Sequence, residues 1–149
     1  FKVFIPEITI YHTQIIPPPA EFVYFLSYPY NQIMQIDSYD FGMIKIDGKL
    51  YQGDVVILPD KIFSPWQRKE SHYLDINDLS AIPDLLKESP KIVIIGTGYY
   101  GVMEIDQKVE EFLRAKGIEV IIEKTIDAWK TYNELGKNKK IAALLHLTC

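Results

Sequence analysis

Cysteine and arginine are both scarce in this sequence. Cys149 is the single cysteine among 149 residues, which excludes an internal disulfide and a cysteine-based metal cluster. Only Arg68 and Arg114 among the 16 basic residues are arginines, and the net charge is −4. Because arginine is the usual reader of phosphates and base edges, and no positive field attracts nucleic acid, no nucleic-acid partner is expected. A reducing cytoplasm is the expected compartment for a chain with one thiol.

Long apolar runs and metal-ligand motifs are also missing. No stretch approaches the roughly 20 apolar residues of a membrane helix, and the short apolar stretch 22–26 has no basic flank. Neither a membrane span nor a signal peptide is therefore predicted. The three histidines lack the spacing of metal ligands, so no metal site is expected. Hydrophobic residues still make up 48% of the chain, which is enough for one globular core.

Proline separates the beginning of the chain from the rest. Residues 1–33 hold five of the nine prolines, including a triple proline at 17–19, and only three charged residues. A triple proline imposes polyproline geometry on the segment around it. We predict that residues 1–33 are a proline- and aromatic-rich extension, either loosely docked or an added pair of strands over a sheet edge. Residues 34–149 are predicted to form the compact domain.

The pattern of residues 91–125 predicts a strand, a helix and a second strand. Residues 92–95 are apolar and mostly β-branched, as in a strand buried on both faces. Asp106 can cap a helix with one apolar side, and Gly117 stands where such a helix should end. A second apolar strand at 118–122 completes a right-handed βαβ unit, which indicates an α/β fold.

The same alternation continues towards the end of the chain. Thr125 can cap a helix over 126–135, and residues 141–147 form another apolar run. The strands at 92–95, 118–122 and 141–147 are therefore predicted to lie parallel in one mixed sheet.

Antiparallel strands are predicted upstream of this unit. Asp47-Gly48 is a strong signal for the turn of a hairpin, and a third strand is predicted at 55–58. These strands are expected to lie outside the parallel core and to leave sheet edges that need protection. A helix is predicted over 78–88, with Asn77 or Asp78 as its cap.

One stretch matches the dinucleotide-binding fingerprint in its letters. Residues 96–101 read G-T-G-Y-Y-G after a strand, and Glu123 ends the next strand as a ribose-binding acid would. The fingerprint requires a helix that begins inside the glycines, whereas the best cap here is Asp106. Its carboxylate would stand where a phosphate should bind. Dinucleotide binding is therefore disfavoured, and no cofactor is predicted.

Several short motifs together resemble one small α/β family. They are Gly96-Thr97-Gly98, Gly117-Ile118, Thr125, Ala128, Thr131-Tyr132-Asn133 with Leu135, and Ala142-Ala143-Leu144, preceded by Gly42, Ile44, Ile46, Gly48, Tyr51, Pro59 and Trp66. That family, of unknown function, includes the mitochondrial NADH dehydrogenase (complex I) assembly factor three and the adipogenesis-associated domain protein. The resemblance covers about Gln35 to Leu147. It implies a three-layer single α/β domain with a mixed, largely parallel central sheet plus a β-hairpin layer, and it implies no established catalytic activity.

Two classes of function remain open. The first, favoured by the resemblance, is a non-enzymatic protein-interaction or assembly factor. The second is a small-ligand-binding or enzymatic domain that uses the crevice at the carboxyl ends of the parallel strands, where open α/β sheets bind ligands. The residues predicted for that crevice are Gly96, Thr97, Gly98, Thr125, Tyr132 and Asn133. Without a ligand, Tyr132 fits a core residue and Asn133 fits a brace for a loop.

An interaction surface is predicted in the upstream half of the domain. Residues 61–72 combine an aromatic ring with several charged groups, which is typical of a solvated or partner-binding loop. Tyr51, Trp66 and Arg68 are the residues predicted to contact a protein partner or a second copy of the chain, because aromatic and arginine side chains anchor interfaces. The alternative is that the aromatic rings fill the core beneath the hairpin.

Overall fold

A computed structural model describes residues 9–11 and 14–16 as backbone and residues 34–149 in full. Of the predicted extension it describes only two strands, β1 (Thr9–Tyr11) and β2 (Gln14–Ile16), which pair antiparallel. The remainder of residues 1–33 lies outside the described residues. Residues Ile33–Cys149 form a compact unit and are described by themselves.

We expect residues 34–149, expressed alone, to unfold cooperatively with nearly the same thermal midpoint as the full chain. The physical reason is that the described residues after 33 supply two extensive apolar cores by themselves. Calorimetry of both proteins in parallel measures this. A chain that begins at residue 42 serves as the control, since it removes a strand of the domain. A loss of several degrees in the 34–149 protein would contradict the prediction.

Ten strands and three helices are described from residue 34 onwards. The strands are β3 (Ile36–Asp40), β4 (Met43–Ile46), β5 (Lys49–Tyr51), β6 (Val55–Ile57), β7 (Ile62–Phe63), β8 (Tyr73–Leu74), β9 (Ile92–Thr97), β10 (Glu104–Ile105), β11 (Glu119–Glu123) and β12 (Ile141–His146). The helices are α1 (Ile76–Ser80), α2 (Gln107–Ala115) and α3 (Thr125–Leu135).

Five strands form the central sheet, in the order β11–β9–β12–β6–β7. Strands β11 and β12 both run parallel to β9, with Glu119 and Ile141 opposite Ile92. Strand β6 is antiparallel to β12, and β7 is antiparallel to β6. The predicted mixed, largely parallel sheet is therefore confirmed, and so is the α/β fold class.

Two apolar cores cover the two faces of this sheet. Strand β9 alternates between them, since Val93 and Ile95 belong to one core and Ile92 and Ile94 to the other. The first core contains apolar side chains of α1 and α2. The second contains those of α3, β3 and β4. Every residue of β9 and β12 is buried, because both faces are covered.

A separate three-stranded antiparallel sheet, β3–β4–β5, supplies the hairpin layer. Its turn is the predicted Asp47-Gly48 pair, and both residues have positive φ, +47° and +82°. A two-residue hairpin turn with positive φ at both positions matches the twist of the flanking strands. Ile44 and Ile46 point into the second core, so this layer packs on the face that α3 also covers.

Two predicted elements differ in the structure. The strand predicted at 55–58 does not leave an edge outside the parallel core, because β6 lies inside the central sheet with Val56 opposite Leu144. Its apolar residues are buried on both faces, as in other central strands. The helix predicted over 78–88 is only α1, capped by Asp75, whose carboxylate accepts a hydrogen bond from the Asp78 amide at 2.9 Å. Positive φ at Asp84 is incompatible with a continuous helix through that position.

Candidate functional site

The carboxyl ends of β9 and β12 are joined by one hydroxyl group. Thr125 Oγ1 accepts a hydrogen bond from the Gly98 amide at 2.9 Å and donates one to the His146 carbonyl at 2.6 Å. Thr125 is fully buried and is the first residue of α3, while Lys124 occupies the cap position without a side-chain bond. The predicted role of Thr125 as a helix cap is therefore wrong, because its hydroxyl cross-links two strands instead.

Protein atoms fill the space beside the glycine turn. A Cβ at Gly96 would lie 2.6 Å from Thr125 Oγ1. Gly98 has φ +108°, and a Cβ there would collide with the Thr148 carbonyl oxygen and lie 2.9 Å from His146 Cδ2. The turn is thus a close contact between chain segments, which explains the need for glycine at both positions.

The backbone amides of this turn are also occupied. The amides of Tyr99 and Tyr100 donate to the carbonyls of Thr148 and Cys149, and the Gly101 amide donates to Gly98. Helix α2 begins only at Gln107, after β10. A pyrophosphate would need free amides at a helix N-terminus, so this geometry supports the expectation that dinucleotides do not bind here.

The structure brings together only part of the predicted crevice. Gly96, Thr97, Gly98 and Thr125 lie at the strand ends, and Thr97 Oγ1 donates to the Glu123 carbonyl at 3.2 Å. The other two predicted residues lie two turns further along α3, about 11–12 Å away along the helix axis.

Tyr132 and Asn133 have structural roles at that distance. Tyr132 is 1% exposed in the second core. The side chain of Asn133 bonds both backbone groups of Ile36 and so attaches β3 to α3. Its Oδ1 atom accepts from the Ile36 amide at 3.0 Å, and its Nδ2 atom donates to the Ile36 carbonyl at 2.8 Å. The alternative of a core residue and a brace is therefore the one observed.

The residues predicted for an interaction surface are largely buried. Trp66 is 7% exposed within the first core, the Arg68 side chain is 2% exposed, and Tyr51 is half-buried against the second core. Trp66 and Arg68 therefore do not form an exposed surface. Arg68 tolerates burial because its guanidinium lies 4.3 Å above the Trp66 ring and is paired with a carboxylate.

That carboxylate belongs to Asp54, just before β6. Its Oδ2 atom accepts from Arg68 Nη2 at 2.9 Å and lies 2.8 Å from His146 Nδ1, while its Oδ1 atom accepts from the Leu147 amide at 2.7 Å. Arg68 Nη2 also donates to the Ser71 carbonyl at 2.8 Å. We call Asp54, Trp66, Arg68 and His146 the Asp54 cluster. It connects β6, the segment 64–72 and the end of β12.

Hydrogen bonding keeps Asp54 ionised. Burial alone would raise its pKa, but the hydrogen bonds from His146, the Leu147 amide and Arg68 outweigh burial and hold the pKa below its ordinary value. An ionised carboxylate can only accept hydrogen bonds. The hydrogen bond between His146 and Asp54 is therefore donated by the N–H group at Nδ1 of His146. The other ring nitrogen, Nε2, then faces away from the carboxylate.

Four buried polar atoms in the described residues have no protein partner, and all belong to the Asp54 cluster. They are Trp66 Nε1, Arg68 Nε, Arg68 Nη1 and His146 Nε2. Sequence reasoning missed Asp54 and His146 as functional candidates. The available signal was a lone histidine within the apolar run 141–147.

An exposed aromatic group lies at the same end of the sheet as the glycine turn. Phe41, Tyr99 and Tyr100 form what we call the aromatic patch. The two tyrosine rings meet edge to face with centroids 5.0 Å apart, and the tilted rings of Phe41 and Tyr99 have centroids 5.7 Å apart. Phe41 is 45% exposed and Tyr100 is 67% exposed. Val102, close in sequence, is also exposed. Contiguous exposed aromatic side chains of this size are typical of interaction sites.

Neither a membrane-crossing helix nor a metal-binding group is found in the part of the chain that the structure describes. None of its helices has the length and apolar character to cross a bilayer. Among those residues, no three histidine, cysteine or carboxylate side chains are grouped as metal ligands.

Comparison with known proteins gives one family model and several relatives. The model described as "Protein of unknown function (DUF498/DUF598)" matches residues 36–146. A conserved hypothetical protein from Pyrococcus horikoshii has a similar crystal structure, with a TM-score of 0.65 and 31% identity over 78% of this chain and 100% of its own. A protein from Rhodopseudomonas palustris has a TM-score of 0.60 and 28% identity over 74% of this chain and 80% of its own.

A curated relative from Xenopus tropicalis has a name that describes a role. It is NADH dehydrogenase [ubiquinone] 1 alpha subcomplex assembly factor 3, and it is 28% identical over 113 residues, which are 75% of this chain. The chain spans 60% of the length of that relative.

Proposed function

Because this chain belongs to the DUF498/DUF598 family of proteins of unknown function, and is similar to an assembly factor, we propose that it acts by binding protein and not by catalysis. The resemblance predicted from the motifs is confirmed by the family match. The relative's name describes assembly of an NADH dehydrogenase subcomplex, and that description belongs to the relative. For this chain, an assembly role is the proposal, and the cytoplasmic compartment stays a prediction.

The aromatic patch is the observation that carries this proposal. Aromatic side chains anchor protein interfaces because they bury a large apolar area with little loss of side-chain entropy. Phe41 and Tyr100 are more exposed than the aromatic residues predicted earlier for this purpose, Tyr51 and Trp66. The proposed interaction surface therefore moves from the loop 61–72 to this patch.

We take the first partner of the patch to be a second copy of the chain. A twofold axis through the patch would set Phe41 of one copy against Tyr100 of the other, so that each ring covers its counterpart. The patch also adjoins residues that are buried and tightly bonded, since the amides of Tyr99 and Tyr100 are both engaged. Such a rigid backbone limits the entropy lost when two copies associate.

Replacing Phe41 and Tyr100 together by serine should abolish association while leaving the fold intact. Both side chains project from the surface, so their loss removes little core packing. Sedimentation velocity at micromolar concentration is expected to show a dimer for the native chain and a monomer for the double variant. Phe112→Ser is the matched control, because Phe112 is a similarly exposed ring on α2, 36% exposed, and should leave the dimer unchanged. A native chain that sediments as a monomer, or a dimer that persists in the double variant, would overturn self-association through this patch.

A further inference from the structure

We propose that the Asp54 cluster is a binding site for a small oxyanion, a carboxylate or a phosphate, held by Arg68 and Trp66. This site is separate from the aromatic patch, and the inference does not depend on self-association. The first argument is the unpaired donors. Arg68 Nε and Nη1 and Trp66 Nε1 can only donate hydrogen bonds, and each is buried without an acceptor. Buried donors of this kind nearly always have a partner in folded proteins.

The unpaired donors lie in one contiguous group of side chains. The Arg68 guanidinium stacks on Trp66 at 4.3 Å, and its Nη2 atom is 3.1 Å from His146 Nδ1. His146 is 3% exposed, and its Nε2 atom is also unpartnered. Three N–H donor atoms on two stacked side chains, Arg68 and Trp66, are thus left for an acceptor on a ligand, whereas His146 Nε2 in this tautomer is itself an acceptor. An oxyanion offers several acceptors at once, which suits a planar guanidinium and an indole N–H together.

Asp54 does not use up the donor capacity of Arg68. Only Nη2 of the guanidinium faces the carboxylate, and the other Asp54 oxygen accepts from the Leu147 amide. Asp54 therefore holds the guanidinium in a fixed orientation, while two of its three nitrogens remain for a second acceptor.

The position of the cluster also fits a ligand site. His146 ends β12, which lies between the parallel neighbour β9 and the antiparallel neighbour β6. Ligands of open α/β sheets bind outside the carboxyl ends of strands where the strand order reverses, and β11 and β12 lie on opposite sides of β9. The covering segment 64–72 presents mostly exposed residues apart from Trp66 and Arg68. A cavity of about 210 Å³ lies on the Trp66 side of this segment, with Gln67 and Asp78 in its lining; Arg68 and His146 do not line it.

The composition of the chain allows a direct test by NMR of the full chain. Its only tryptophans are Trp66 and Trp129, and its only arginines are Arg68 and Arg114. Each side-chain N–H spectrum therefore contains two residues, one inside the site and one outside it. Titration with inorganic phosphate should move the Trp66 and Arg68 signals in a saturable way and leave those of Trp129 and Arg114 unchanged. Trp129→Phe assigns the indole signals.

A second titration and a variant separate the alternatives. Sodium acetate, at matched ionic strength, distinguishes a carboxylate site from a phosphate site, since the signals should saturate with the preferred anion at lower concentration. Arg68→Lys keeps the charge beside Asp54 but removes the Nε and Nη1 donors, and it should weaken binding tenfold or more. Lys69→Gln removes a neighbouring exposed cation and should leave binding unchanged.

The proposal would be overturned if neither anion produced a saturable change in the Trp66 and Arg68 signals of the native chain. It would equally be overturned if Arg68→Lys bound with native affinity, or if Lys69→Gln lost binding to the same degree. Because the NMR titration uses the native chain, a variant that fails to fold does not remove the test.

Discussion

Asp54→Asn is expected to lower the free energy of unfolding by about 3 kcal/mol near neutral pH, since removing one partner of a buried ion pair leaves the other charge uncompensated. The substitution keeps the shape of the side chain but removes the charge that faces Arg68, whose side chain is 2% exposed. Urea denaturation of the native and variant chains measures the difference. Asp54 is 16% exposed, so its interactions are screened far less than those of a surface pair.

The same variant should change how stability depends on pH. The pKa of Asp54 is below its ordinary value in the folded chain, so its contribution is fully present above the unfolded pKa, about 4, and is lost as pH falls through the folded pKa. The difference in the free energy of unfolding between the native chain and Asp54→Asn should therefore become smaller below about pH 4. Asp84→Asn is the control, because Asp84 pairs with Lys61 at the surface. Loss of that pair should barely change the midpoint of urea denaturation. A difference in the free energy of unfolding that stayed constant across pH would contradict the role given to Asp54.

Gly98→Ala is the second substitution with a large expected effect. Positive φ costs an ordinary residue about 1–2 kcal/mol, and overpacking against fixed neighbours adds about 1–3 kcal/mol. At Gly98 the new methyl group would meet the Thr148 carbonyl and the His146 ring. We therefore expect a loss of about 3 kcal/mol or more in the free energy of unfolding, measured by urea denaturation.

Gly117→Ala separates backbone strain from packing. Gly117 has φ +80°, but nothing lies within 4 Å of the position its Cβ would take. The loss in the free energy of unfolding of Gly117→Ala should therefore come from backbone strain alone. The additional loss in Gly98→Ala then measures the close contact at the strand ends. Equal losses in both would mean that the glycine turn is not a tight contact.

Local patterns in the sequence predicted much of this fold. Asp47-Gly48, Asp106 and Gly117 each specify a turn, a cap or a helix end through the chemistry of one or two residues, and the structure has all three in those roles. Apolar runs likewise identified the strands at 92–95 and 118–122, although only β9 is buried on both faces, whereas β11 lies at the edge of the sheet with Ile122 exposed. These features depend on neighbours in the sequence, which is why a single sequence is sufficient for them.

The candidate site depends on contacts between distant residues, which local patterns do not contain. Asp54 and His146 are 92 positions apart and meet only because β6 pairs with β12. Hydrophobic alternation gave no indication of which strand would neighbour 55–58. Arg68 was predicted to contact a partner because arginine side chains anchor interfaces, whereas its burial depends on the carboxylate that this pairing supplies.

The position of β12 has a consequence for the nascent chain. It is the last strand in the sequence, yet it lies at the centre of the sheet between β9 and β6. Until residues 141–146 leave the ribosome, β6 and β9 have no strand between them, and their apolar residues stay uncovered along that side. Folding of the sheet must therefore wait for nearly complete synthesis of the domain, which is a situation in which chaperones protect exposed strands from aggregation.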